Sequence, residues 1–398
     1  GMMVVGSSAK GIDDFTDKAE IVNQDAVAVT SAIGMFEGYE DGSFGPENVV
    51  TRAEMAVIIC TMLYGAGVNV NQFAETNVFT DVPAWAQGYV NLCSSLGIVA
   101  GVGEGKFDPN ATVTTAQAVL MLCRALGYFQ SAADFGNDWM LAATAKGTAL
   151  GLYGDLKLTA NEGLTRDNVA ELVFNALTKA VPVQYNELLG VYYNENQGII
   201  YSLEFNYLQT LGYKNFDLVY KTNENTDYGR PGTTWSYEGD EIGTYADNAD
   251  DSMVINKTLS AQAILVTDSD YFDYNRKDLA DDGDLNLYIN GDAEFENGDY
   301  ADLSSVTLKA GDQVELFEND DKKVETIAII RYSLASIKEV EDSLSSTYTN
   351  KGATYAITLE TLSESGIGGT YYDVYDGDST KELTGFNADT YTEGTVLA

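Results

Sequence analysis

Two arginines in this 398-residue chain stand where helix energetics would not choose a cation. Arg52 follows Thr51 and Arg166 follows Thr165, each at the first position of a helix opened by a threonine cap. At the first of these the cap is Thr51-x-x-Glu54, the box in which hydroxyl and carboxylate satisfy orphan N–H groups reciprocally. A helix N-terminus already carries partial positive charge, so a guanidinium there is unfavourable unless something negative lies opposite it. Two readings of Arg52 follow. Beside free helix N–H groups it forms a two-part receptor for a carboxylate; or it pairs with Glu40 or Asp41 in the preceding loop, an ordinary weak surface ion pair.

Most other chemistry is excluded by what the chain lacks. It has no histidine, which removes the commonest general base, the commonest zinc ligand and every imidazole-dependent triad. Cys60, Cys93 and Cys123 are odd in number and without Cys-x-x-Cys spacing, so they read as buried free thiols in apolar helices. Paired carboxylates for glycoside hydrolysis carry no signal among 61 acidic residues, since any fold would bring some pairs together. A net charge of −39 repels nucleic acid and anionic membrane surfaces, so neither is expected as a partner. No apolar run reaches the roughly 18 residues of a membrane span.

The elements that must position the arginines recur along the chain. Gly34, Gly38, Gly42, Phe44, Pro46, Thr51 and Cys60 reappear 63 positions later as Gly97, Gly101, Gly105, Phe107, Pro109, Thr114 and Cys123. "FTD" at 15–17 returns at 79–81, and a shorter third copy runs from Asp138 through "LTRDN" to about Val181. Each copy reads as helix, glycine-rich loop, helix. The second helices carry apolar stripes Met55/Ile59/Leu63, Ala118/Leu122/Leu126 and Val169/Val173/Leu177, which predict a three-helix core. One copy buries too little surface to stand alone, so the three should pack as one domain.

The stretch "GYEDGSFGPENVVTRAEMAVII" at 38–59 resembles the S-layer homology motif, with its Gly-Tyr-x-Asp-Gly-x-Phe loop and Thr-Arg-Ala-Glu helix start. The resemblance covers about residues 13–181, under half of the chain. It implies a pseudo-threefold assembly around a central helical bundle, with grooves between neighbouring copies that hold an anionic secondary cell-wall polysaccharide. It further implies that Arg52 with the loop residues Tyr39, Asp41 and Gly42 lines the chief groove, that Arg166 lines a weaker second, and that pyruvate ketals on the sugar supply the negative charge. Copy two departs from the motif, with Thr115 in the arginine position and Val102 and Glu104 in place of Tyr39 and Asp41, so its groove is expected to be inactive. Copy three keeps Arg166 but has a shortened loop, in which Lys157 could partly compensate. Trp85 and Trp139, where copy one has Val22, either stack on a sugar face or act as packing wedges.

After Pro182 the texture changes to short alternating runs rich in Tyr, Thr, Val and Ile, which read as strands. Clear signals are two strands across the polar "ENDDKK" turn and a tight turn at Asn290-Gly291. The expected organisation is multidomain. An α-helical domain of three copies spans 13–182 (about 13–66, 77–128 and 137–181), a mainly-β domain spans 184–335, and a second, truncated β segment spans 336–398. Acidic turns such as "DLADDGDLN" at 278–286 fail the EF-hand pattern and read as solvated turns; no cofactor is expected, with calcium the one candidate. Gly1 reads as an expression scar, "MMVVGSSA" as a signal-peptide remnant and "TYTEGTVLA" as a strand cut short. The functional expectation is a secreted, non-catalytic protein anchored to the cell wall. A self-associating surface-lattice subunit and a wall-tethered enzyme with carboxylate catalysis in the β half are the alternatives.

Overall fold

The computed structural model describes residues 11–75, 78–194, 198–200, 205–265, 271–319, 321–332, 335–341, 356–363, 366–375 and 396–397. The leader remnant read at 2–9 lies outside the described residues, as does 390–395 of the chain end. Helices fill the N-terminal region and strands in several separate sheets fill most of the rest, so the protein is multidomain. It divides into two compact units, Gly1–Glu224 with Gly232–Tyr245, and Asn225–Pro231 with Ala246–Ala398.

In the first unit, α1 (Gln24–Ala32) and α2 (Arg52–Tyr64) form the first copy, and a single turn α3 (Asn71–Ala74) leads to α4 (Ala84–Ser95) and α5 (Thr115–Ala125) of the second. The third copy is α6 (Trp139–Ala149) and α7 (Arg166–Thr178). The caps form as their sequence requires: Thr51 Oγ1 accepts from Glu54 N at 3.3 Å while Glu54 accepts from Thr51 N at 2.8 Å, and Thr165 Oγ1 accepts from Asn168 N at 3.3 Å. The first helices all stop at a glycine with positive φ, Gly34 (75°), Gly97 (71°) and Gly151 (69°), which turns the chain into its loop. The copies interleave, because each second helix packs on the first helix of the next copy: α2 on α4, α5 on α6, and α7 back on α1. The three apolar stripes lie in one shared core.

This unit does not end where the composition changes. Beyond α7 come a small sheet of β1 (Gln184–Asn186), β2 (Val191–Asn194) and β3 (Gly198–Ile199), then α8 (Leu211–Phe216) and a three-stranded sheet of β4 (Val219–Asn225), β5 (Pro231–Tyr237) and β6 (Asp240–Ala246). Leu211, Phe216, Leu218 and Trp235 join the helical core, so the boundary expected at 184 is not a boundary of packing. The reason lies in α7, which is buried along nearly its whole length and needs a cover on its outer face. Trp235 supplies part of it, edge-on to Phe174 with ring centroids 5.1 Å apart. Gly212 lets α8 approach, since a Cβ there would stand 2.9 Å from the Leu177 carbonyl oxygen. Trp235→Ala should therefore destabilise the helical unit, although it lies in the strand-rich sequence, by about 3–5 kcal/mol. A thermal melt followed by helical circular dichroism checks this, and an unchanged melting temperature would refute the shared core.

The second unit is built on a five-stranded sheet in the order β10-β9-β13-β12-β7. Its strands are β7 (Asp251–Val254), β9 (Leu285–Ile289), β10 (Asp292–Gly298), β12 (Gln313–Glu318) and β13 (Val324–Ile330), with β8 (Leu259–Ser260) and β11 (Thr307–Leu308) pairing apart. The strands on either side of "ENDDKK" are β12 and β13, antiparallel neighbours, and Asn290 and Gly291 both adopt positive φ in the tight β9–β10 turn. Arg230 makes a two-point ion pair with the buried Glu315, at 2.6 and 2.9 Å. In the acidic stretch at 278–286, Asp281 pairs with Lys323 at 2.7 Å. A further sheet holds β14 (Ala335–Glu341), β15 (Ala356–Ser363), β16 (Gly366–Tyr375) and β17 (Val396–Leu397), in the order β16-β15-β14-β17.

Candidate functional site

The residue just before each threonine cap sits in a closed ring. Val50 N donates to Leu164 O (3.0 Å), Leu164 N to Val113 O (3.1 Å), and Val113 N to Val50 O (2.9 Å). All three residues are buried. Outside this ring the first two N–H groups of each second helix are taken by the loop of a neighbouring copy: Arg52 and Ala53 by Ala111 O and Pro109 O, Thr115 and Ala116 by Glu162 O and Ala160 O, and Arg166 and Asp167 by Asn48 O and Pro46 O. The three contacts are equivalent and cyclic, so the copies are related by an approximate threefold axis through the ring.

This geometry corrects two expectations. The helix N–H groups are not free for a ligand, because neighbouring carbonyls hold the first two and the threonine caps of α2 and α7 hold the third. The expected pairing of a guanidinium with free helix N–H groups is therefore not formed. Nor does each arginine serve the loop of its own copy. Arg52 reaches the second-copy loop, where Nε donates to Phe107 O and Nη2 to Ala100 O, both at 3.0 Å. Arg166 closes the cycle onto the first-copy loop, donating from Nε to Phe44 O (2.9 Å) and from Nη2 to Glu37 O (2.8 Å). Tyr39, Asp41 and Gly42 thus lie on the loop that Arg166 grips, while Arg52 faces the degenerate loop at 101–105. The shortened third loop, with the exposed Lys157, faces Thr115, whose hydroxyl donates to Glu162 O at 3.2 Å.

Both guanidiniums are stacked as well as bonded. The Arg52 Cζ lies 4.5 Å from the Phe107 ring centroid, and Arg166 Cζ lies 4.7, 5.0 and 5.3 Å from Phe44, Tyr39 and Phe36. Arg52 is only 8% exposed, yet among the described residues neither arginine has a carboxylate within ion-pairing distance. The paired-loop reading of Arg52 with Glu40 or Asp41 is therefore not what the chain adopts. Burial pulls both guanidinium pKa values down, opposed for Arg52 by Asp108 and Asp81 and for Arg166 by Tyr39, Glu54 and Asp17, and both stay charged at any physiological pH. Asp41 instead shapes the loop, accepting from Ser43 N at 2.9 Å and Ser43 Oγ at 2.6 Å. Tyr39, beside the cation, is 42% exposed.

The recurring "FTD" carries a positioning role that its repetition alone did not reveal. Asp17 accepts from Phe44 N (2.7 Å) and Gly45 N (2.8 Å), and Asp81 from Phe107 N and Asp108 N (2.8 Å each), so these carboxylates aim the carbonyls that the arginines grip. The phenylalanine of each "FTD" stacks on the loop ring, Phe15 on Phe44 at 5.3 Å and Phe79 on Phe107 at 5.4 Å. Trp85 and Trp139, 54% and 38% exposed in the first turns of α4 and α6, are not among the rings against either arginine.

The family model of the S-layer homology domain matches residues 14–56 and 78–119, which hold the cap, loop and "FTD" of the first two copies. Those two stretches are S-layer homology domains. For the third copy the likeness rests on the structure, since α6, α7 and Arg166 repeat the arrangement around the ring. A cell surface protein of Thermoanaerobacter kivui is 36% identical over 178 residues, 44% of this chain and 22% of its own length. A middle cell wall protein of Brevibacillus brevis is 34% identical over 37% of this chain and 14% of its own, and a surface layer protein of Brevibacillus choshinensis 32% over 43% and 15%. This chain therefore spans less than a quarter of the length of these curated relatives. Shorter matches reach a cellulosome-anchoring protein of Acetivibrio thermocellus and an endoglucanase of a Bacillus species, over 25% and 28% of this chain.

Proposed function

We propose that the helical unit anchors a secreted, non-catalytic protein to the cell wall by binding an anionic secondary polysaccharide, chiefly where Arg166 meets the first-copy loop. The observation that carries this is a pair of guanidiniums held at inter-copy seams, neither of which has a carboxylate within ion-pairing distance among the described residues. Withholding an anion from a buried cation is unfavourable. A sugar-borne carboxylate such as a pyruvate ketal would remove that cost, with the Tyr39 face as a platform for the ring that bears it. The names of the S-layer, cell-wall and anchoring relatives agree with a surface location.

The endoglucanase match favours a second reading, a wall-tethered enzyme. A glycosidase needs a carboxylic acid with a raised pKa. Among the described residues the two carboxylates that burial pushes up, Asp167 and Glu171, both lie on α7 of the helical unit. The measurement that tests the carboxylate reading is cosedimentation of the protein with purified cell walls, intact or treated with mild acid to remove ketal carboxylates. Affinity should fall about tenfold or more on treatment, given roughly 1.5–3 kcal/mol per charge-assisted bond. Equal binding to both would overturn the carboxylate reading.

A further inference from the structure

The seam between the first two copies holds a pair of facing thiols that the proposed function does not use. Cys60 on α2 and Cys93 on α4 are both fully buried, with Sγ atoms 3.5 Å apart. Each sulfur also faces the opposite backbone, Cys60 towards Tyr89 O and Cys93 towards Ala56 O, both at 3.6 Å. The two helices therefore hold the thiols face to face in van der Waals contact, and closing to a covalent bond needs a further approach of about 1.5 Å.

The internal repeat shows that this pairing is particular to one seam. Cys123 on α5 occupies the place of Cys60, but the position facing it, matching Cys93, is Gly147 on α6. A Cβ there would stand 2.5 Å from Val119 Cγ1, so that seam has no room for a second thiol.

We propose that Cys60 and Cys93 form a disulfide when the chain folds under oxidising conditions, bolting the first copy to the second, while Cys123 stays a free thiol. The oxidant is a small-molecule disulfide. One cysteine thiolate attacks it, releasing one small thiol and leaving a mixed disulfide; the second cysteine thiolate then displaces the other small thiol as the protein S–S bond forms. Two protein S–H groups are oxidised, one small disulfide is reduced, and the two protons leave on the released thiols. The exchange belongs to folding, because the hydrogen bond with Cys60, together with burial, holds the Cys93 thiol well above its ordinary value once the helices have packed. Burial likewise pushes Cys123 up to about 12. An extracellular setting is where such a bond persists. The geometry itself is independent of any glycan.

The test is to unfold the full chain in urea with a reductant, refold it with oxidised glutathione, alkylate free thiols and map the peptides by mass spectrometry. The expected result is one alkylated cysteine, Cys123, and a linked pair of peptides carrying Cys60 and Cys93. The cross-linked protein should melt about 5–10 °C above the same sample kept in dithiothreitol, since the bond closes a loop of roughly 30 residues. That gain should vanish in Cys93→Ala and persist in Cys123→Ser. Alkylation of all three cysteines after oxidative refolding, a bond to Cys123, or a cross-linked form that melts no higher than the reduced one would each overturn the proposal.

Discussion

Replacing Arg166 by alanine should weaken binding to purified cell walls by tenfold or more, and should do so more strongly than Arg52→Ala. Losing a charge-assisted bond to a ligand carboxylate removes about 1.5–3 kcal/mol. The order follows from the loops: Arg166 lies beside the exposed Tyr39 ring, whereas Arg52 faces the glycine-rich run at 101–105. Both arginines also clamp copies together through two carbonyls, so both substitutions should lower stability, by about 2–4 kcal/mol. Binding must therefore be read well below the melting temperature of each variant. Arg166→Lys keeps the charge but not the two-point fork, and should recover part of the affinity. If both alanine variants melt lower yet cosediment like the wild type, the arginines are clamps alone and the receptor reading is wrong.

The second large effect concerns Glu171. This carboxylate on α7 is 8% exposed, and burial, reinforced by Asp25 and Asp155 and opposed by Asn175 and Lys179, raises its pKa from 4.5 to about 7. Its Oε1 accepts from Asn175 Nδ2 at 2.7 Å, while the buried Asn175 Oδ1 has no hydrogen-bond partner among the described residues. A folded-state pKa above the unfolded value means that the folded protein holds the proton longer. The stability this group contributes is full below about pH 4.5 and is lost as pH rises to about 7, a swing of about 3 kcal/mol. Glu171→Gln should thus melt near the wild-type temperature at pH 4.5 and roughly 5–10 °C above it at pH 8. The general repulsion of a chain with net charge −39 also grows with pH, so the decisive quantity is the difference between the two proteins. A gap that does not change between pH 4.5 and 8 would remove Glu171 as its source.

Local features were legible in the sequence wherever a local rule decides them. The caps at Thr51 and Thr165, the three stripes and the Asn290-Gly291 turn depend on residues a few positions apart, and each stands as its pattern required. Which arginine meets which loop was not legible. A 63-residue offset states which residues are equivalent, not which copies touch, and the cyclic closure that sends Arg166 to Phe44 is a property of three-dimensional packing. The boundary at 184 misled for a related reason. Composition there reports a change from helix to strand, whereas Trp235 and Leu218 are recruited by an apolar helix face that lies earlier in the chain. The carboxylates Asp17 and Asp81 could have been found, since both follow a repeated "FT" and precede the loop phenylalanine by nearly the same interval.

The closed ring of Val50, Val113 and Leu164 has a mechanical meaning for a tether. Three copies joined only in series would peel one at a time from whichever end is pulled. Here the last copy is fastened to the first, through Arg166 to Phe44 across 122 residues of chain, so the array has no free end from which unzipping can start. Separating the last copy from the first means breaking the two Arg166 contacts together with the ring that joins all three copies. A polymer seated at the Arg166 seam would lie across the same joint and share the load.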